Sequence, residues 1–222
     1  MSAEAVIAVL GDVVGSKRHA DAGAALRSLL KDRLARVNGL IEADQPLLMT
    51  IGDEFQGLYG GIDAALEATL LLRLSLVGRV DVRFGIGSGA LDVRDPAEEP
   101  FGQDGPAWWA AREAIGSVAD AMTRRASPRG LRTGFVEWGD GAASEATMRS
   151  ALVNALLVTR DEIVGQMDDR AARLAFAYLT GRNIKQAAAH EGISASAVYD
   201  RLQRSGTYAV AAAVRCLREV AA

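Results

Sequence analysis

A single cysteine, two histidines, five prolines and an aromatic content of 5% leave this chain poor in several residue types that announce a function. Cys216 cannot close an internal disulfide, which fits a reducing compartment, and its aliphatic helical surroundings predict a small buried hydrophobe. His19 and His190 are far apart and lack ligand-like spacing, so a zinc site is not expected. No Ser/His/Asp or Cys/His combination stands out. No apolar run reaches the ~18 residues of a membrane-spanning helix. The N-terminus MSAEAVIAVLGDVV enters a strand-like segment without a basic region or cleavage site. These absences predict a soluble, cytoplasmic protein with no membrane partner. What is abundant is apolar, 50% of the residues, enough for a sizeable core.

The net charge of −3 argues against a generic nucleic-acid coat, but it is unevenly spread. Residues from 168 onward carry eight Lys+Arg and five Asp+Glu, a net +3, which leaves −6 for the rest. Two regions with different partners are expected.

Hydropathy patterning gives an α+β chain. The run VIAVLGDVVGS (6–16) reads as a central strand that turns polar at Asp12. Leu26, Leu29, Leu30, Leu34, Val37, Leu40 and Ile41 mark an amphipathic helix. LLMTI and GDEFQGLYG read as a hairpin, a second helix follows from Ile62, and VDVRFGIGSG alternates with Val80, Val82, Phe84 and Ile86 on one side. Residues 90–106 read as an exposed hairpin or loop. A helix from about Ala107 and a strand at LRTGFVEW complete a β-α-β-β-α-β-α-β pattern: a ferredoxin-like (palm) mixed sheet, expected to carry its helices on one face. GDGAAS breaks the pattern, which divides the chain into a palm domain, 1–143, and an all-helical domain, 144–222.

Two acids, Asp12 and Asp53, each follow a glycine at the end of a predicted neighbouring strand. Carboxylates brought together repel unless a cation lies between them, and hard oxygen donors suit Mg²⁺ holding a polyphosphate. Backbone N–H groups at Gly15 and Ser16, opening the next helix, could meet that phosphate. Alternatively, each Gly-Asp is a common turn, and either Asp could merely cap the next element.

VIAVLGDVVGS resembles the first strand of class III nucleotide cyclases, and LMTIGDEFQGLY their central hairpin. VDVRFGIGSGAL and AWWAAREA resemble two later cyclase segments, so the resemblance covers roughly residues 5–116. The literal GDEF at Gly52 to Phe55 matches the end of the related GGDEF motif. The whole chain looks closer still to the SatD family, through Gly11 to Lys17 and Gly52 to Gly57. The cyclase resemblance implies that Asp12 and Asp53 hold Mg²⁺ or Mn²⁺, and that Val13, Val14, Gly15 and Ser16 lie near the phosphates of a nucleoside triphosphate. It implies that Arg112 stabilises transition-state charge in a site shared by a homodimer. In the GGDEF pattern Glu54 would assist the metal and a ribose hydroxyl. Met49 stands where cyclases carry a base-selecting lysine and Trp108 where they carry a catalytic asparagine, so ATP cyclisation in the usual manner is not expected. Trp108 and Trp109 could stack on a base, but aromatics opening a helix more often make core or subunit contacts.

In the tail, residues 183–205 have the anatomy of a helix-turn-helix: a short helix, Gly192, and a second helix capped by Ser194. Ile193, Val198 and Leu202 would pack inward. Lys185, Ser196, Tyr199, Arg201 and Arg204 would face DNA. A dimerisation or packing module is the alternative. Two functional readings follow. One is a regulator whose nucleotide- and Mg²⁺-binding palm controls a DNA-binding tail. The other is a metal-dependent nucleotidyl cyclase or triphosphate-processing enzyme with the tail as a dimerisation or targeting module.

Overall fold

A computed structural model describes residues 5–15, 23–93, 103–139 and 145–221. Its first half runs β1 (Val6–Val13), α1 (Gly23–Asn38), β2 (Gln45–Met49), β3 (Phe55–Tyr59), α2 (Ile62–Leu76) and β4 (Val82–Gly89). In space these strands follow the order β2-β3-β1-β4, every neighbouring pair antiparallel. That is the ferredoxin-like arrangement expected from the sequence. A short ladder of β5 (Asp92–Val93) with β6 (Gln103–Asp104) leads into α3 (Pro106–Thr123), and β7 (Thr133–Glu137) then adds in parallel to β4.

Strand alternation sorts side chains to two faces. Ile7, Val9 and Val13 of β1, Phe55 and Tyr59 of β3, and Val82, Phe84 and Ile86 of β4 enter the main core with Leu30, Leu34 and Val37 of α1 and the apolar face of α2. The expectation of helices on one face is corrected here, because α3 lies on the other. Ala8, Leu10 and Leu58 meet Ala107, Trp108 and Ala111 there. The reason is steric. β4 turns Gly85 and Gly87 toward α3, and a Cβ on Gly87 would sit 2.2 Å from the backbone of Ala107 and Ala111. A helix pressed backbone to backbone onto glycines leaves no apolar stripe on the strand to betray it.

Both sheet edges are closed by asparagine amides that act as strand partners. Asn38 of α1 exchanges two 2.9 Å hydrogen bonds with Leu47 on β2. On β7, Asn154 accepts from the N–H of Phe135 (2.9 Å) and donates to its carbonyl (2.7 Å). Edge groups so satisfied cannot template further pairing.

Asn154 belongs to α4 (Glu145–Gly165), the first of five C-terminal helices, with α5 (Asp169–Leu179), α6 (Ile184–Glu191), α7 (Ala195–Arg204) and α8 (Thr207–Ala221). The 143/144 division falls within an undescribed stretch, and the main core continues past it. Leu157 and Val164 of α4, Phe176 of α5, and Val210 and Val214 of α8 all join that core. Fully buried Asp161 of α4 forms an ion pair with Arg73 of α2 (2.7 Å) and accepts hydrogen bonds from Arg160 (3.2 Å) and from the N–H of Thr133 on β7 (2.6 Å). A buried anion so matched joins three elements. The buried setting expected for Cys216 is also corrected, because the residue is exposed. The inward stripe of α8 is Val210, Ala211 and Val214, and Cys216 follows two positions later, on the other side of the helix. Among the described residues no helix is long and apolar enough to cross a membrane.

Candidate functional site

The face of the sheet carrying α3 is only part covered. Beyond α3, towards β2, it opens into a cleft of about 430 Å³ lined by Leu10, Gln56, Gln103, Asp104, Trp108, Trp109 and Arg112. Strand register builds its floor, since Leu10 pairs with Gln56 and Gln56 with Leu48, setting these side chains in one row across β1, β3 and β2.

Two residues past Leu10, on the same face of β1, stands Asp12. Its register partner on β4 is Arg83. The two form a bidentate pair: Arg83 Nε donates to Oδ1 and Nη2 to Oδ2, both at 2.7 Å. The hydrogen bonds to Asp12 hold the Arg83 pKa above its ordinary value, and the charges of Asp12 and Asp53 add to the effect. Asp12 is thus its hydrogen-bonded partner and Asp53 a further charge nearby.

Asp53 sits in the hairpin turn between β2 and β3. Gly52 takes a positive φ of 71° to close that turn, and Thr50 N–H donates to the Glu54 carbonyl at 2.9 Å. Arg27 of α1 fixes the loop from outside, donating from Nε (3.1 Å) and Nη2 (2.7 Å) to the Gly52 carbonyl. The turn also brings Glu54 to Arg112 of α3, 4.0 Å apart with both side chains at least half exposed. A pair this loose adds little stability. Arg112 is thus a largely exposed cation at the mouth of the cleft.

Trp108, one turn before Arg112, is only 8% exposed, yet its indole N–H has no hydrogen-bond partner among the described residues. The same holds for the side-chain oxygen of Gln103. Both atoms are themselves buried, so the wall of the cleft carries a donor and an acceptor that are unsatisfied. Trp109 donates its indole N–H to Asp104 (2.7 Å) and meets Trp138 edge to face, with ring centroids 5.4 Å apart.

Of the residues assigned to phosphate, Val13 is buried in the core and the Val14 N–H already donates to the Asp81 carbonyl at 2.9 Å. Gly15 lies in a turn at φ 73°, and Ser16 falls outside the described residues. Asp12 does not present a free carboxylate to Mg²⁺ or Mn²⁺ in this arrangement. Both oxygens of Asp12 are taken by Arg83, and no group of three or more His, Cys, Asp or Glu suited to a metal exists among the described residues.

In the tail, α6, a left-handed Gly192 (φ 66°) and α7 form the helix-turn-helix expected. Asn183 and Ser194 cap the two helices, each accepting a backbone N–H through its side chain (2.9 and 3.1 Å). Val198 and Leu202 pack on Leu174, Ala187 and Ala188. Lys185, Ser196, Tyr199 and Arg204 are exposed, as assigned. Arg201 is not free, because it pairs with Asp168, the residue that caps α5.

Arg83 was not foreseen. Its signal was available: it is the one charged side chain in β4, flanked by the inward-facing Val82 and Phe84.

The fold and cleft define a ferredoxin-like α+β unit sharing its core with a helix-turn-helix tail. The chain belongs to the SatD family, which it matches over residues 6–211. No curated protein sequence matches it. Among solved structures it is similar to the guanylyl cyclase Cya2, at 15% identity and a TM-score of 0.42, over 53% of this chain and 72% of the other. It is also similar to an adenylate cyclase from Trypanosoma brucei in its monomeric state, at 18% identity and a TM-score of 0.37, over 50% and 68%.

Proposed function

We propose that this SatD-family protein is a nucleotide-binding regulator, with the ligand held in the cleft on the open sheet face and the tail as a DNA-contacting module. The carrying observation is a cleft walled by Arg112, Trp108 and Trp109, with the Asp12–Arg83 pair on the same sheet face two residues beyond its floor residue Leu10. Guanidinium groups suit phosphate, and Trp108 and Trp109 suit a base. Asp12 holds Arg83 in place, the charge of Asp53 favours the same cation, and Glu54 lies loosely against Arg112. A resident metal is not required. The test is a calorimetric screen of the purified chain against nucleoside mono-, di- and triphosphates with and without Mg²⁺ or Mn²⁺, followed by product analysis. Binding weakened by Arg112→Ala and by Arg83→Gln is expected. A chain that binds no nucleotide under either condition fails the proposal. Turnover of a triphosphate would make it an enzyme, with Glu54 and Arg112 as the first residues to test.

The DNA reading rests on the capped helix-turn-helix with Lys185, Ser196, Tyr199 and Arg204 exposed. Phosphate neutralisation releases counterions, so retardation of a DNA fragment should weaken steeply with salt. Arg204→Ala should reduce it more than Arg201→Ala, whose guanidinium is already engaged. Equal effects, or no retardation at low salt, would leave the tail as a packing module. A homodimer would double such contacts, and gel filtration with light scattering measures that directly.

A further inference from the structure

On the far side of the sheet from the nucleotide cleft, the palm meets the support of the helix-turn-helix around a cleft of about 110 Å³. Five arginines line it: Arg33 and Arg36 from α1, Arg79 from the turn after α2, Arg173 from α5 and Arg182 from the turn before α6. Only two acids face them, Asp169 and Glu191, and both are taken by Arg173. It donates to the two oxygens of Glu191 at 2.7 and 2.8 Å and also pairs with Asp169, while Arg170 reaches Glu191 from outside at 3.5 Å. Arg33, Arg79 and Arg182 form no ion pair among the described residues. Arg36 lies over the Phe176 ring at 4.1 Å, and the Nε of Arg33 is buried without a hydrogen-bond partner.

Four cations gathered without a counter-ion repel one another, and a buried donor left open costs free energy. The strain registers on Arg36, whose pKa is lowered by burial first and then by the charges of Arg33 and Arg182. Both costs vanish if an oxyanion sits among them, because guanidinium N–H groups are suited to tetrahedral oxygens. Size narrows the class. Organic ligands occupy pockets of roughly 300–1,000 Å³, so this one takes an oxyanion without its organic part.

We propose that this seam binds a small phosphate-type oxyanion, phosphate or pyrophosphate, that ties α1 of the palm to α5 and α6 of the tail. α5 packs beneath the helix-turn-helix through Leu174, so an anion held here fixes the DNA-facing helices relative to the palm. The site is independent of the nucleotide cleft, and either can fail without the other.

The experiment is thermal unfolding and calorimetry of the full chain with sodium pyrophosphate or phosphate, against sodium chloride at matched ionic strength. The double variant Arg33→Gln/Arg182→Gln is compared with Arg215→Gln, an exposed arginine on α8. Pyrophosphate is expected to raise the unfolding temperature of the wild type and of Arg215→Gln. In the double variant the affinity should fall about tenfold or more while circular dichroism stays native. If that variant does not fold, Arg79→Gln serves in its place with the same expectation. No stabilisation beyond chloride, or an affinity unchanged by these substitutions, overturns the proposal. So does a short DNA duplex that protects these arginines where neither oxyanion does, because the seam would then be nucleic-acid surface.

Discussion

The two faces of the sheet are built from the same strands and are opposites. On one, Val9, Phe55, Phe84 and Ile86 are fully buried beneath α1 and α2. On the other, the same strands present Ala8, Leu10, Asp12, Arg83, Gly85 and Gly87, and α3 covers only part of them. Large interlocking side chains on the first face leave no room for a ligand. Small, charged and unpartnered groups on the second contribute less packing and leave a cleft. The period of two in a β-strand allows this, since alternate residues answer to different demands.

The comparison can be broken at its stable side first. Phe84→Ala should cost about 3–5 kcal/mol, because it empties a ring-sized volume beside Phe55, whose ring centroid lies 5.9 Å away. Urea unfolding measures it, and a loss under 1 kcal/mol would mean that the closed face is not the main source of stability. Gly87→Val should come next, at about 1–3 kcal/mol, since the new side chain meets backbone of α3 that cannot swing aside. It should also displace Trp108, seen as a change in tryptophan fluorescence. A variant with wild-type stability would show that α3 does not press on the glycines.

Arg83→Gln sharpens the contrast. The pair with Asp12 is bidentate and only about a quarter exposed, so losing the guanidinium should cost about 1–3 kcal/mol of stability. Nucleotide affinity should fall as well. Loss of stability with affinity intact would reverse the roles of the two faces.

The smallest effect is expected from acid, away from the sheet. The hydrogen bonds from Arg173 hold the Glu191 carboxyl below its ordinary 4.5. A depressed carboxyl contributes stability above its unfolded value and loses it as pH falls through the folded one. The junction of α5 and α6 should therefore lose amide protection, measured relative to the intrinsic exchange rate at each pH, below about pH 4.5 and before the palm core does. Simultaneous loss of protection throughout would contradict it.

Much of the architecture was legible in the sequence. Periods of two and near 3.6 mark β1, α1, the β2-β3 hairpin, α2 and β4, and Gly192 with Ser194 marks the tail turn. The position of α3 was not, because GIGSG on β4 reads as a strand with nothing to bury when its partner is another backbone. Partners distant in sequence were equally hidden. Arg83 lies 71 residues from Asp12, and Arg201 lies 33 from Asp168, so neither pair has a local pattern. Trp108 was read as a core or subunit contact. Its ring is buried, as a core contact requires, and one side of it also lines the cleft.

The central claim is that a nucleotide occupies the open face, and amide hydrogen exchange by mass spectrometry tests it most directly. With the tightest-binding nucleotide present, protection should rise in residues 50–58 and 103–113, the hairpin and the start of α3, and stay unchanged along α1 and α2. Protection confined to α1 and α2, or none with any nucleotide at saturating concentration, would contradict the account.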